Sequence, residues 1–102
     1  MIHRLKTWPE FFQAILTGTK RFELRRDDRN VQIGDVLELE EFDARTQEYT
    51  QRFTAVMVTY VLRGEEAAQF GLQPGFAIYS LILPGQFYPG SMTKFEYKGS
   101  KS

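Results

Sequence analysis

The chain contains no cysteine, which excludes disulfides, thiolate nucleophiles and cysteine-ligated zinc or iron–sulfur centres. Its single histidine, His3, removes any metal site built from several imidazoles, and neither a metal nor a cofactor is expected. No apolar run approaches the roughly 20 residues of a membrane-spanning helix. The first 18 residues carry Arg4, Lys6 and Glu10 among their apolar positions, unlike the continuous apolar stretch of a signal peptide. The resulting expectation is a cytoplasmic protein with no membrane partner. An excess of one charge sign is missing too. Thirteen basic and 13 acidic residues give a formal net charge of zero, which argues against indiscriminate binding to polyanions.

What is present fits one globular domain. The 102 residues are 42% hydrophobic and 15% aromatic, with four prolines and eight glycines. A chain of this size buries roughly two-thirds of its unfolded surface, enough for one core. Its neutrality arises by cancellation between segments. Residues 1–30 hold seven basic and four acidic side chains, residues 31–70 hold three and eight, and residues 71–102 hold three and one. That pattern leaves room for a small basic site but not for a broad basic face.

The local pattern is mostly β. Residues 2–7 mix apolar and polar positions as a half-buried strand does, with Ile2 and Leu5 breaking strict alternation. Thr7 and Glu10 have capping-box spacing, with Pro9 in the first turn. Trp8, Phe11, Phe12, Ile15 and Leu16 then share one helical face, so a helix over residues 8–18 is expected, with these aromatics in the core and Gly18 as its left-handed stop. Lys20–Arg26 has period 2, read with Phe22 and Leu24 toward the core and Arg21, Glu23 and Arg25 on the opposite face. Turns at 27–30 and 33–35 lead into a strand over 36–42, and 43–48 reads as a hairpin connection. Residues 49–62 are apolar on both faces, which predicts a central strand buried from both sides. One helical turn over 65–70 precedes a last core strand, 76–83. The 12 residues between the first two strands permit a parallel pairing of those two, with the others joined as hairpins. The expected fold class is therefore α+β, mostly β: about five strands in a mixed sheet curled into a pseudo-barrel, with one main helix beside a cleft. The domain spans 1–83. The Gly-, Pro-, Ser- and Lys-rich segment 84–102 is expected to be a flexible tail or an added edge strand through Phe95-Glu96-Tyr97. A monomer is assumed.

Several catalytic classes fail on inventory. There is no phosphate-binding G-x-x-x-x-G-K-[ST] loop, no G-x-G-x-x-G and no G-x-S-x-G. The density of charge around one short strand stands out instead, with Lys20, Glu23, Arg25, Asp28 and Arg29 inside ten residues. It reads either as a solvated face of paired charges or as a polar cleft. In a cleft, Lys and Arg bind phosphate or a polarised carbonyl, and a carboxylate accepts a base or amine proton. A lysine near a glutamate at a helix-to-strand turn also fits a catalytic base once desolvated. His3 and Lys6 flank the helix entry and join the candidates. Tyr49, Tyr60, Tyr79 and Tyr88 serve either as stacking surfaces or as packing.

The residues H-x-L-K at His3–Lys6, W-P-E-F-F at Trp8–Phe12, G-T-K-R-F-E-L-R-R-D-D-R at Gly18–Arg29 and I-G-D-V-L-E-L-E-E-F-D at Ile33–Asp43 resemble the ASCH superfamily. Within it, the sequence is most similar to a family of small uncharacterised bacterial and phage proteins. The resemblance covers residues 2–83 and centres on G-x-K-x-x-E-x-R. It implies a PUA-like pseudo-barrel and RNA or modified-nucleotide binding in the cleft beside the helix, with His3, Lys6, Lys20, Glu23, Arg25, Asp28 and Arg29 as ligand-binding candidates. One branch of that superfamily hydrolyses N4-acetylcytidine with a Lys, a Thr three residues later and a distant Glu. Here Lys20 matches the lysine, but Glu23 stands where that branch has threonine. In that alternative Lys20 and Glu23 are catalytic. A protein-interaction or inhibitory module is a further alternative.

Overall fold

The computed structural model describes residues 1–97. Strands β1 (Ile2–Thr7), β2 (Phe22–Arg26), β3 (Val36–Asp43), β4 (Glu48–Arg63) and β5 (Phe76–Ile82) form one mixed sheet, with helix α1 (Pro9–Leu16) after β1 and a short α2 (Gly64–Ala67) after β4. The sheet order is β1-β3-β4-β5-β2, and it curls as a half-barrel. The mostly-β, mixed, five-stranded architecture is thus the one expected.

The pairing differs from expectation. The one parallel pair is β1 with β3, Ile2 opposite Val36 through Thr7 opposite Glu41, whereas β2 lies at the far edge, antiparallel to β5. Both ends of β2 are tied there. Leu81 N–H donates to Arg21 C=O at 3.0 Å, and Asp27 N–H to Gly75 C=O at 2.8 Å. On the other edge, β1 turns His3, Leu5 and Thr7 inward and matches Leu5 to Leu39 of β3. An interval of 12 residues permits a parallel pair but does not choose the partner. Burial does.

The core joins Leu5, Phe12, Ile15, Val31, Leu37, Leu39, Val56, Val58, Ala77, Tyr79 and Leu81. Helix α1 supplies only Phe12 and Ile15, one turn apart. Trp8, Phe11 and Leu16 are exposed, which corrects their expected place in the core. The expected capping box is absent as well: the N-cap is Trp8, with no side-chain cap bond, because Thr7 still belongs to β1. Pro9 occupies the first turn, where its missing N–H costs nothing. Strand β4 is central in the sheet, but it is buried on both faces only around Ala55 and Val56. Its register shifts between Val58 and Tyr60, a bulge that changes the phase of alternation, so Val56 and Val58 are buried while Tyr60 is exposed.

After Leu83 the chain folds back. Gly85 N–H donates to Phe95 C=O, Phe95 N–H to Gln86 C=O and Tyr88 N–H to Thr93 C=O, and Phe95 is buried. Its contribution to pairing is an isolated bridge between Phe87 and Lys94, not a strand added at 95–97. Of the expected 84–102 tail, residues 98–102 lie outside the described residues. Among the described residues no helix is long and apolar enough to cross a membrane.

Two features at the start of β3 and after β4 fix the frame. Asp35 is buried and accepts from His3 Nε2 (2.9 Å), Gln32 N–H (3.0 Å) and the Met1 ammonium (3.1 Å). Burial raises its pKa, but the Gln32 N–H, His3 and the ammonium outweigh that and hold it down at about 2. A folded-state pKa below the ordinary 3.8 stabilises above pH 4 and is lost as pH falls toward 2. At 1.36 kcal/mol per unit this amounts to about 2 kcal/mol. Urea melts should therefore show Asp35→Asn weaker than wild type by about 2 kcal/mol at pH 7 and converging with it near pH 2; parallel pH profiles would contradict this clamp. Gly64 opens α2 against the 73–74 turn, and an added Cβ would meet Gln73 O at 2.0 Å and Pro74 Cα at 2.8 Å. Both are backbone atoms, so Gly64→Ala should cost about 2–4 kcal/mol in the same assay; an unchanged midpoint would disprove that close approach.

Candidate functional site

The five-stranded sheet leaves two edges, β1 and β2, and its curl brings the end of β1 close to β2. Helix α1 feeds this seam. Gly18 takes φ +80° after the helix, a left-handed turn that suits glycine, and Lys20 N–H returns to Ala14 C=O at 3.0 Å. That turn delivers Lys20 to the head of β2.

On β2 the period of 2 holds but its phase is opposite to the expected one. Glu23 is buried, 5% exposed, while Phe22 and Leu24 are 46% and 54% exposed. The inversion follows from hydrogen bonding. Glu23 Oε1 accepts from Lys20 Nζ at 3.0 Å, and Oε2 from Arg25 Nη1 at 2.8 Å, so the buried carboxylate is satisfied on both oxygens. Lys20 Nζ also donates to Phe22 C=O at 2.8 Å and sits 4.7 Å from the Phe22 ring and 5.2 Å from that of Phe11. Arg25 Nη1 continues across the seam to Lys6 C=O at 2.8 Å. One guanidinium thus joins the two edges.

Above this triad lies a cleft of about 380 Å³, walled by Lys6, Thr7, Trp8 and Phe11 on one side and Lys20 and Phe22–Arg25 on the other. Trp8 and Phe11 are near-parallel, 8° apart with centroids at 6.2 Å. Together with Phe22 they give the cleft an aromatic wall beside a buried anion and two partnered cations. Chemically, this suits a flat ring with polar groups on its edge. Trp8 also borders a second depression with Pro9, Glu10 and Asp43–Arg45. Among the described residues, Thr7 Oγ1 is the buried side-chain polar atom without a hydrogen-bond partner.

Of the residues singled out in the sequence, Lys20, Glu23 and Arg25 meet in the cleft, and Lys6 stands on its rim with its ammonium 4.4 Å from the Phe42 ring. His3 does not line it: it is buried at the other end of β1 against Asp35. Asp28 and Arg29 lie beyond β2, exposed and 4.0 Å apart. The cleft residues that sequence reasoning missed are Thr7, Trp8, Phe11, Phe22 and Leu24. Tyr49, Tyr60, Tyr79 and Tyr88 all lie outside the cleft lining; burial, first of all, raises the pKa of Tyr79. Beneath α1, Glu41 is held below the usual carboxylate range chiefly by the Arg52 guanidinium, against the opposing effect of burial. Among the described residues no three His, Asp or Glu side chains converge as metal ligands.

The protein is thus a curled, mixed half-barrel with an aromatic and ion-paired cleft at its seam. The chain belongs to the family described as "Domain of unknown function (DUF3850)", which it matches over residues 2–81, a span that includes the whole cleft. It is also similar to the "Uncharacterized 12.9 kDa protein in GpA 3'region" of Escherichia phage P2, 44% identical over 41 residues; that alignment covers 40% of this chain and 38% of the phage protein.

The triad makes a stability prediction. Lys20 and Arg25 keep side-chain exposures of 16% and 28%, so solvent offsets part of the cost of leaving them unpaired. Glu23→Gln should still lose about 1–3 kcal/mol in thermal or urea melts, and Arg25→Met a comparable amount. Two unchanged melts would return the strand to a solvated charge pair.

Proposed function

We propose that the seam cleft binds a single unpaired base of RNA, or the corresponding nucleoside. The observation that carries this reading is the buried Glu23 carboxylate, fixed by Lys20 and Arg25 against the exposed rings of Trp8, Phe11 and Phe22. Unpaired bases are recognised by stacking on aromatic side chains and by hydrogen bonds to their edges. Here the rings supply the stacking surface. Glu23 accepts from an exocyclic amine or ring N–H, and the remaining N–H groups of Lys20 and Arg25 serve a carbonyl or a phosphate. A cleft of about 380 Å³ suits one base and not a duplex. The ASCH-like, PUA-like resemblance points the same way.

The charge arrangement bears on affinity. Lys20 and Arg25 share one carboxylate, so the triad carries a net +1, and few phosphate counterions are released on binding. Salt dependence should be shallow.

The Lys20–Glu23 contact at 3.0 Å favours one further reading, hydrolysis of an acylated nucleoside such as N4-acetylcytidine. Water adds to the amide carbonyl, Glu23 carries a proton to the leaving amine, and acetate and cytidine are released. Incubation with N4-acetylcytidine followed by chromatography separates turnover from binding.

Trp8 is the only tryptophan, so its fluorescence reports on the cleft directly. Ribonucleosides and short single-stranded RNA should quench it, and duplex RNA should not. Glu23→Gln should weaken binding about tenfold or more, the worth of one charge-assisted hydrogen bond. Raising salt from about 50 to about 200 mM should weaken it less than about tenfold. No quenching by any nucleoside or single strand, or equal binding of duplex, would overturn the proposal.

A further inference from the structure

Thr7 is 3% exposed and lines the cleft, yet its hydroxyl has no hydrogen-bond partner. A buried hydroxyl left unpaired is destabilising, and an orphan of this kind calls for an explanation. Its neighbours do not bond it in the free protein. The helix that follows is capped at Trp8 without a side-chain bond, so Thr7 does not serve α1. Its register partner on β3 is Glu41, whose carboxylate accepts from Thr50 Oγ1 and from Arg52 Nε and Nη2. Lys20 and Arg25 direct N–H groups to Glu23, Phe22 C=O and Lys6 C=O, and none of their remaining N–H groups bonds the Thr7 hydroxyl.

We infer that Thr7 is a specificity-determining residue, whose hydroxyl donates to a carbonyl oxygen or ring nitrogen of the ligand while Glu23 accepts a ligand N–H. The inference rests on the base-binding reading above and narrows it to heterocycles with an amide- or amidine-type edge, a donor beside an acceptor. Threonine suits this role because exchange between staggered rotamers about Cα–Cβ turns the hydroxyl from one direction to another. In the free protein the hydroxyl is withdrawn from solvent; a ligand acceptor supplies the partner that makes the exchange favourable. Glutamate accepts only, and a hydroxyl can donate, so of this pair only Thr7 can serve a ligand acceptor.

The test compares wild type, Thr7→Val and Thr7→Ser by Trp8 fluorescence with adenosine and cytidine, and with 1-deazaadenosine and 3-deazacytidine, which stack alike but lack the ring acceptor. Wild type should bind at least one parent nucleoside about tenfold tighter than its deaza analogue. Thr7→Val should lose that tenfold preference by weakening the parent alone, and Thr7→Ser should restore it to within about threefold. The melting temperature of free Thr7→Val should equal or exceed that of wild type, because an unpaired hydroxyl has been replaced by a methyl. Undiminished parent binding by Thr7→Val, or equal weakening of parent and analogue with a lowered melting temperature, would overturn the inference while leaving base binding intact. Wild-type protein that binds none of the four nucleosides would instead remove the base-binding reading, and this inference with it.

Discussion

The site depends on one buried carboxylate. Glu23 lies at the seam where a five-stranded half-barrel runs out of strands, and the backbone ladder has nothing to offer there because β1 and β2 are its two edges. A side-chain network replaces the ladder: Lys20 and Arg25 take one oxygen each, and Arg25 reaches on to the Lys6 carbonyl. Such a join closes the sheet electrostatically without filling the gap sterically. The gap is the cleft.

The two ends of β1 do different work. At its start His3 turns inward to Asp35, whose carboxylate ties β1 to the loop before β3. At its end Thr7 and Trp8 turn toward the cleft. Helix α1 divides its side chains in the same way. Phe12 and Ile15 anchor it in the core, whereas Trp8 and Phe11 are released to the cleft. Arg52 lies beneath, 5.0 Å from the Phe12 ring and bonded to Glu41, so the helix rests on a neutralised pair and not on a free charge. A rigid floor and exposed rings are what stacking recognition needs, since little ordering is left for binding to impose.

Much of this was legible in the sequence. Alternation, apolar runs and turn residues together located all five strands to within a few residues, and Pro9 and Gly18 bracketed the helix. The run Lys20-x-x-Glu23-x-Arg25 was legible as a charge cluster because its geometry is local: two cations three and two residues from one carboxylate, on and just before a single strand. Parity was not legible. Alternation says that Phe22 and Leu24 share a face, but only the closed seam makes the polar face the buried one. The partner of β1 was hidden for a similar reason, since chain length between strands limits pairing without selecting it. The two-sided burial expected of β4 holds around Ala55 and Val56 but ends at the bulge, beyond which Tyr60 is exposed, and no residue there announces it. Trp8 and Phe11 matched a helical stripe that is wider than the core it faces. Thr7 was misread as a cap because its spacing to Glu10 fits one, while the strand holds it one residue too early. His3, Asp28 and Arg29 were near the cleft residues in sequence and are not part of the cleft lining.

The central claim is that ligand recognition happens at this seam. It is tested most directly by following the backbone amides and the Trp8 indole N–H of isotope-labelled protein by NMR during titration with a short single-stranded RNA. The account predicts that shifts concentrate on Thr7, Trp8, Phe11, Lys20 and Phe22–Arg25, with the indole among the largest. Perturbations centred elsewhere, on the exposed Phe70 and its neighbours or on the 87–92 loop, with the seam unmoved, would contradict it.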